Sequence, residues 1–314
     1  MKIVFMGTPD FSVPALNALV DGGHDVALAV TQPDKPKGRG KAMQMTPVKI
    51  RAMELGIPVV TPQKVRGNTE FLEQLKEIAP DVIVVIAYGQ ILTTDVLELP
   101  KYGCVNIHAS LLPKYRGAAP IQWAVINGEE MSGVTTMQMD AGLDTGDMLD
   151  RVEIVLDPDE TGGSLFDKLS AAGGELILET LSKIENGTVV ATPQTGETNY
   201  VGMISKAMGE IDWTLSAISI ERLIRGLDPW PSAYSHVDGK TLKFWKAKND
   251  LNPSDPSAKP GQIISVDKDS ITIQCGEGTL TVTELQLEGK KRMDTGSFLR
   301  GYTLDVGTQL GRGV

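Results

Sequence analysis

The run Asp81 to Ile86 (DVIVVI) sets five apolar, mostly β-branched side chains in a row between Pro80 and the Tyr88-Gly89 pair. A strand with one wet face alternates polar and apolar positions. A run that is apolar at every position must be covered on both faces. That requirement points to a mostly parallel sheet with helices on either side, and the neighbouring sequence supplies the alternation such a layer needs. Lys2 to Met6 reads as a buried strand ending at Gly7. Phe11 to Val20 has helical spacing, with Phe11, Ala15 and Leu19 on one stripe and Leu16 and Val20 beside it. Val26 to Val30 is a second strand, followed by a long polar loop. Pro47 opens a helix through Leu55, where proline suits the first turn. Val59-Val60 is brief, and Thr69 to Ile78 is amphipathic. Gly103 to Ile107, Gly133 to Met139 and Met148 to Val155 read as strands, and Ser164 to Glu185 as a long helix.

Near Gly187 the pattern changes. Thr188 to Tyr200 is rich in Thr, Pro and Gly and has little periodicity, so it reads as a linker. Thr214 to Leu227 is one more helix. Beyond Pro229 come short β-runs punctuated by Gly, Pro and Asp: Ala233 to Val237, Thr241 to Ala247, Gly261 to Val266, Ser270 to Cys275 and Thr279 to Leu287. Short strands at close spacing suggest a small barrel. A length of 314 residues accommodates both parts as separate domains.

Composition limits the function classes. The net charge of −10 argues against a protein that coats nucleic acid without specificity. The charge is uneven: between Ser205 and Val314, 14 basic residues balance 14 acidic ones, so the whole deficit belongs to the preceding part. No apolar run approaches the roughly 18 residues of a membrane span, and the N-terminal sequence reads as a strand entering a loop, not as a signal peptide. Cys104 and Cys275 are the only cysteines, too few for a disulfide framework or a structural zinc site. A cytoplasmic, reducing setting is expected.

The densest group of chemically capable residues is Asn106-Ile107-His108-Ala109-Ser110-Leu111-Leu112-Pro113, just after an expected central strand. Ligands of open α/β sheets bind beyond the carboxyl ends of strands. Asn106 and His108 are two apart, so an extended backbone points both to one face. They pair an amide donor with an imidazole, or else are a capping Asn and a hydrogen-bonded core His. Gly117-Ala118-Ala119-Pro120 would let backbone and ligand approach closely. The loop Asp140-Ala-Gly-Leu-Asp144-Thr-Gly-Asp147 offers a carboxylate that could orient the His. Its acids could instead be a cation loop, though their spacing lacks the ligand series of an EF-hand. Gly7-Thr8-Pro9-Asp10-Phe11 has a single glycine and a proline where a dinucleotide fingerprint needs glycines and backbone NH groups, so no nicotinamide cofactor is expected. Cys104 is expected to be a small buried strand residue.

The stretch from Asn106 to Leu149 (NIHASLLPKYRGAAPIQWAVINGEEMSGVTTMQMDAGLDTGDML) resembles the active-site segment of the folate-dependent formyltransferases. GTPDFSVPAL, TQPDKPKGRGK, VVIAYGQIL and the segment Asp228-Pro229-Trp230-Pro231 resemble the methionyl-tRNA formyltransferase family more narrowly, over most of the chain from Lys2 to about Gly301. The resemblance implies a doubly wound, mostly parallel, Rossmann-like α/β domain over 1–188, a linker over 189–206, and an OB-like β-barrel over 207–314 that helps hold tRNA. It implies an enzyme that moves a formyl group from 10-formyltetrahydrofolate to the amino group of initiator methionyl-tRNA. Asn106, His108 and Asp144 match the family's catalytic residues in type and order.

The resemblance also places folate beside Ser110, Leu111, Leu112 and Pro113 and near Ile86, Tyr88 and Gly89, where Leu111 and Leu112 could equally be core residues. Lys35, Lys37, Arg39 and Lys41 would grip tRNA phosphates from a loop whose Gly and Pro content is expected to forbid helix or strand; the alternative is a solvated surface loop. Lys243, Lys246, Lys248, Lys290, Lys291 and Arg292 are candidates for phosphate contacts on the barrel, although each alone is more often a solvated charge. No metal is expected, and the protein is expected to be a monomer. Within the formyltransferases the rival is an enzyme acting on a small amine, such as a nucleotide-linked amino sugar. The basic loop and the barrel are expected to separate the two. From another class, the rival is a non-catalytic tRNA-binding module, for which Asn106 and His108 would be dispensable.

Overall fold

The computed structural model describes residues 1–37, 42–250 and 257–311. In chain order the first elements are β1 (Lys2–Gly7), α1 (Val13–Asp21), β2 (Asp25–Val30), β3 (Lys35–Lys37), β4 (Ala42–Gln44), α2 (Pro47–Glu54), β5 (Val59–Val60), α3 (Thr69–Ile78), β6 (Val82–Ile86), α4 (Thr94–Leu97) and β7 (Cys104–His108). After these come β8 (Arg116–Gly117), α5 (Pro120–Asn127), β9 (Met131–Gln138), β10 (Met148–Val155), α6 (Gly162–Glu185) and β11 (Tyr200–Val201). The last are α7 (Ala217–Gly226), β12 (Ala233–Val237), β13 (Lys240–Asp250), β14 (Ile263–Val266), β15 (Ile271–Gln274), β16 (Thr279–Leu287), β17 (Met293–Asp294) and α8 (Thr295–Leu299). They form two compact units. One comprises 1–120, 131–155 and 166–201; the other comprises 121–130, 156–165 and 202–314.

The first unit is built on a seven-stranded sheet of order β10-β9-β7-β6-β1-β2-β5. β5, β2, β1, β6 and β7 run parallel, while β9 is antiparallel to β7 and β10 to β9. The chain winds outward from β1 to β5, then returns to start β6 on the other side of β1. The switch point therefore lies between β1 and β6, where a ligand crevice is expected beyond the strand ends. One face packs Val4, Met6, Leu28, Val30, Ile83, Val85 and Cys104 against Phe71 and Leu75 of α3. On the other face α6 comes very close. A Cβ at Gly173 would lie 3.0 Å from Ile107 Cγ2, and one at Gly174 would lie 3.1 Å from the Pro14 carbonyl oxygen. The Ser170 hydroxyl donates to the Phe11 carbonyl at 2.8 Å, and Phe11 packs edge-on against Phe166.

The second unit has a six-stranded antiparallel sheet of order β12-β13-β16-β15-β14, with β17 on β16. Its core gathers Trp213, Ile220, Ile224, Phe244, Ile273, Val282 and Leu285. The C-terminal segment bridges the two ends of this sheet. Ile263 N–H donates to Thr308 O at 2.8 Å, Leu310 N–H to Gly261 O at 2.9 Å, and Gly311 N–H to His236 O of β12 at 3.0 Å. Those bonds pair edge groups that would otherwise stand open.

One expectation fails at the basic loop. Lys35–Lys37 is a strand that pairs antiparallel with Ala42–Gln44, Pro36 opposite Met43. A two-stranded ribbon has only outer edges, and a proline missing its N–H is tolerated there. Arg39 and Lys41 lie outside the described residues.

Gly174 tests how closely α6 must approach. Alanine would gain up to about 1 kcal/mol of helix propensity, which blurs the steric effect. Valine gains less and adds two methyl groups toward a backbone carbonyl that cannot swing away. Gly174→Val is expected to lower stability by about 1–3 kcal/mol in urea titration.

Candidate active site

Along one face of β7 the side chains change from Cys104 to Asn106 to His108, while Val105 and Ile107 occupy the opposite face. All five are buried, with Asn106 at 8% exposure and His108 at 6%. Asn106 pairs with Val85 on one side and Met137 on the other, so it sits inside the sheet and near its carboxyl end. Polar side chains buried this deeply need partners.

The loops supply them for His108. Its Nε2 lies 2.9 Å from the Tyr115 carbonyl oxygen. A carbonyl only accepts, so Nε2 carries the hydrogen and Nδ1 is the nitrogen left with a lone pair in the neutral ring. Nδ1 faces Asp144 Oδ2 at 3.8 Å, too far for a direct hydrogen bond. The same Oδ2 accepts the Gly117 N–H at 2.8 Å. Asp144 has φ 54°, Tyr115 φ 59° and Gly117 φ 95°, all in the left-handed region. The Asn106 amide makes no hydrogen bond to any described residue. The site thus combines a free amide donor, an imidazole of fixed tautomer and a carboxylate.

Two segments flank this group. Ser110 Oγ donates to Lys114 O at 2.7 Å, and Thr135 Oγ1 donates to Ser110 O at 2.7 Å while accepting Leu112 N–H at 3.2 Å. Ser110 and Leu112 are buried, and Leu111 packs where a Cβ on Gly133 would meet its Cδ2 at 2.5 Å. Pro113 is half-buried, and its carbonyl accepts the Thr198 hydroxyl at 2.9 Å. Ile86 is fully buried. Tyr88 lies in the α3-side core; its hydroxyl has no partner among the described residues, and burial pushes its pKa up to about 12. Gly89 is exposed with φ 86°, and among the described residues only Gln32 Nε2, at 3.7 Å, would meet a Cβ there. The two segments thus leave adjacent strand ends, and most of their side chains are committed to packing. What they can offer a ligand is mainly backbone and the room at Gly89.

Other sequence candidates resolve physically. Asp140 closes its own loop by accepting from Gly142 N–H at 3.0 Å and from the Thr145 hydroxyl at 2.7 Å. Among the described residues no group of three or more His, Cys, Asp or Glu could hold a metal ion. Cys104 is buried, and desolvation raises its thiol pKa to about 12, so it stays protonated. Gly7 allows close packing, since a Cβ there would lie 2.8 Å from Ser12 Cβ. Lys35 is exposed. In the second unit Lys246 and Lys248 line a groove of about 620 Å³ with Trp245, Arg222, Arg225 and Arg292. Lys243 lies 5.8 Å from the Trp245 ring. Arg292 is already engaged: it pairs with both oxygens of Glu284 at 2.5 and 3.0 Å and sits 4.6 Å from the Trp245 ring centre.

Sequence reasoning missed the Tyr115 carbonyl, the Gly117 N–H and the Thr135 hydroxyl. Gly117 alone left a signal, as a glycine in a small-residue cluster.

The pattern of the formyl transferase family matches residues 1–181, and that of its C-terminal domain matches residues 203–303. A methionyl-tRNA formyltransferase of Agathobacter rectalis is 58% identical over 98% of this chain and 99% of its own length. One of Geobacter metallireducens is 52% identical over 99% of each. A solved N-formyltransferase of Helicobacter canadensis, in complex with folinic acid and dTDP-3-aminofucose, has TM-score 0.66 and 19% identity over 90% of this chain and 98% of its own. The chain belongs to the formyl transferase family and, within it, to the methionyl-tRNA formyltransferases.

Thr135 holds two buried backbone groups with one hydroxyl. Thr135→Val keeps the shape and orphans both, so urea titration is expected to show a loss of about 1–3 kcal/mol per orphaned group. Thr135→Ser is expected to recover most of it.

Proposed function

We propose that this enzyme transfers the formyl group of 10-formyltetrahydrofolate to the amino group of initiator methionyl-tRNA, giving N-formylmethionyl-tRNA for translation initiation. Full-length identity of 58% to a methionyl-tRNA formyltransferase is the observation that carries the reading. Two features at the ends of β6 and β7 accord with a folate bound there. The Asn106 amide has no hydrogen-bond partner among the described residues, and Gly89 is open.

In this reading the amine attacks the formyl carbon, and negative charge develops on the formyl oxygen. Asn106 donates its amide N–H to that oxygen. His108 Nδ1 takes the proton the amine loses, and Asp144, 3.8 Å away, stabilises the imidazolium. The bond from the formyl carbon to the folate nitrogen breaks, and that nitrogen takes up a proton as it leaves. Ser110, Leu111, Leu112, Pro113, Ile86, Tyr88 and Gly89 shape the folate side. Lys35, Lys37, Arg39 and Lys41, with Lys243, Lys246 and Lys248, hold tRNA phosphates. The enzyme acts in the cytoplasm as a monomer. Two buried free thiols accord with a reducing compartment, and no helix among the described residues is long and apolar enough to cross a membrane.

The direct test incubates the protein with charged initiator tRNA and 10-formyltetrahydrofolate and looks for formyl-methionine. An amine-bearing nucleotide sugar serves as the competing acceptor. Formylation of the sugar alone would refute the reading. Asn106→Ala and His108→Ala are each expected to lower kcat by about 10² or more with the fold intact.

The tRNA-binding residues have their own signature. Lys246→Gln with Lys248→Gln is expected to flatten the slope of log K against log salt by roughly 0.7–0.9 for each phosphate left without its lysine, with folate affinity unchanged. Arg39→Ala is expected to weaken use of tRNA, and Arg39→Lys to restore it only in part, because charge returns without the guanidinium fork. A folate defect with an unchanged salt slope would move these residues to the other substrate.

A further inference from the structure

The stretch from Thr188 to Tyr200 has neither helical nor strand periodicity, yet its second half is fastened to the loops that surround His108. Thr192 exchanges two backbone hydrogen bonds with Met148, at 2.9 and 2.8 Å. Gln194 Nε2 donates to the carbonyl oxygens of Asp144 at 2.9 Å and Gly146 at 2.7 Å. Its Oε1 accepts from Arg116 Nε at 3.0 Å and Nη2 at 2.7 Å. Asn199 brackets Tyr115: its Oδ1 accepts the Tyr115 N–H at 2.5 Å, and its backbone oxygen accepts the Arg116 N–H at 3.0 Å.

These bonds fall on the two anchors of the imidazole. The Arg116 N–H and the Tyr115 carbonyl belong to one peptide plane, so Asn199 sets the direction of the oxygen that receives His108 Nε2. Gln194 grips the backbone of Asp144, whose carboxylate faces His108 Nδ1. Both anchored residues are non-glycine residues in the left-handed region, Tyr115 at φ 59° and Asp144 at φ 54°. That conformation persists only where surrounding contacts over-determine it. We infer that Gln194 and Asn199 are positioning residues for formyl transfer, acting through Asp144 and Tyr115 on the orientation of His108. The inference rests on the catalytic reading of His108 and Asp144 given above.

Full-length variants assayed with charged tRNA and 10-formyltetrahydrofolate test it, with rates normalised to the folded fraction from urea titration. Gln194→Ala and Asn199→Ala are expected to lower kcat about 10-fold or more, with both KM values within about twofold, since small misplacements of reacting groups are costly. Asn199→Asp keeps the accepting oxygen and is expected to recover most of kcat. Gln194→Glu keeps the acceptor for Arg116 but loses both N–H donors, and is expected to stay as slow as Gln194→Ala. In an Asp144→Asn background, Gln194→Ala is expected to cost less than about twofold more, because the two residues act on one element.

Four results would overturn the inference. They are a normalised kcat equal to wild type, a raised KM for tRNA at unchanged kcat, Asn199→Asp no faster than Asn199→Ala, and a full additive loss in the Asp144→Asn background. Wild-type turnover in His108→Ala and Asp144→Asn would instead overturn the catalytic reading itself. Slow His108 and Asp144 variants beside fast Gln194 and Asn199 variants would remove only the positioning role.

Discussion

A single imidazole buried at the end of a central strand sets the terms for the loops around it. His108 cannot find partners within the sheet, because the β7 backbone is committed to its ladders with β6 and β9. An unpaired buried polar group costs about 1–3 kcal/mol, so partners must come from segments distant in sequence. The Tyr115 carbonyl is the hydrogen-bond partner of Nε2, the Asp144 carboxylate faces Nδ1 at 3.8 Å, and each reaches its place through a left-handed residue. The strain is tolerable because other hydrogen bonds hold the same loops: Gly117 N–H on Asp144, and Thr135 on Ser110 and Leu112.

Rigid support behind β7 makes the arrangement possible. Gly173 brings α6 against the Ile107 side chain of the sheet, and Gly174 brings it close to the backbone of the first turn of α1. Ile107 then has a wall on its own face, which fixes the strand whose other face carries Asn106 and His108. A site built on a central strand inherits that precision, whereas a site carried only by loops would not.

Sequence patterns carried the regular parts of this architecture. β12 and β16 occupy the ranges expected from alternation, and β6 differs from the DVIVVI run by one residue. The parity of Asn106 and His108 was readable because a strand has period two. Helix α5 leaves no clear sequence signal, since Pro120–Asn127 follows a Gly-Ala-Ala cluster that resembles a loop and is apolar nearly throughout, so no amphipathic stripe marks it. The hairpin at Lys35 and the C-terminal bridge from Gly307 to Gly311 were invisible for another reason. Both are held by backbone hydrogen bonds, which leave no side-chain pattern. The same holds for residues 192–201: absence of periodicity marks the absence of a repeating element, not of structure. Tyr115 could not be singled out at all, because what it contributes is a carbonyl oxygen that every residue possesses.

The charge distribution of the second unit explains how a chain of net charge −10 can still meet a polyanion. Counting basic residues there would overstate its attraction for phosphate. Arg225 is held by both oxygens of Glu221, at 2.5 and 3.0 Å, and Arg292 by both of Glu284. Hydrogen bonding from Arg292 holds the Glu284 carboxyl below its usual range. Burial instead raises the Asp228 carboxyl, 3.3 Å from the same guanidinium. A bidentate pair outweighs desolvation at the first acid, and a single long contact does not at the second. These arginines therefore brace the groove and present little net charge. Lys246 and Lys248 stand exposed on β13, on flexible stems. Such lysines lose little by exchanging water for phosphate, and they can follow a backbone whose path varies. The chemistry thus divides the groove: the Arg225 and Arg292 forks are committed to carboxylates of the scaffold, and the Lys246 and Lys248 ammonium groups stay exposed.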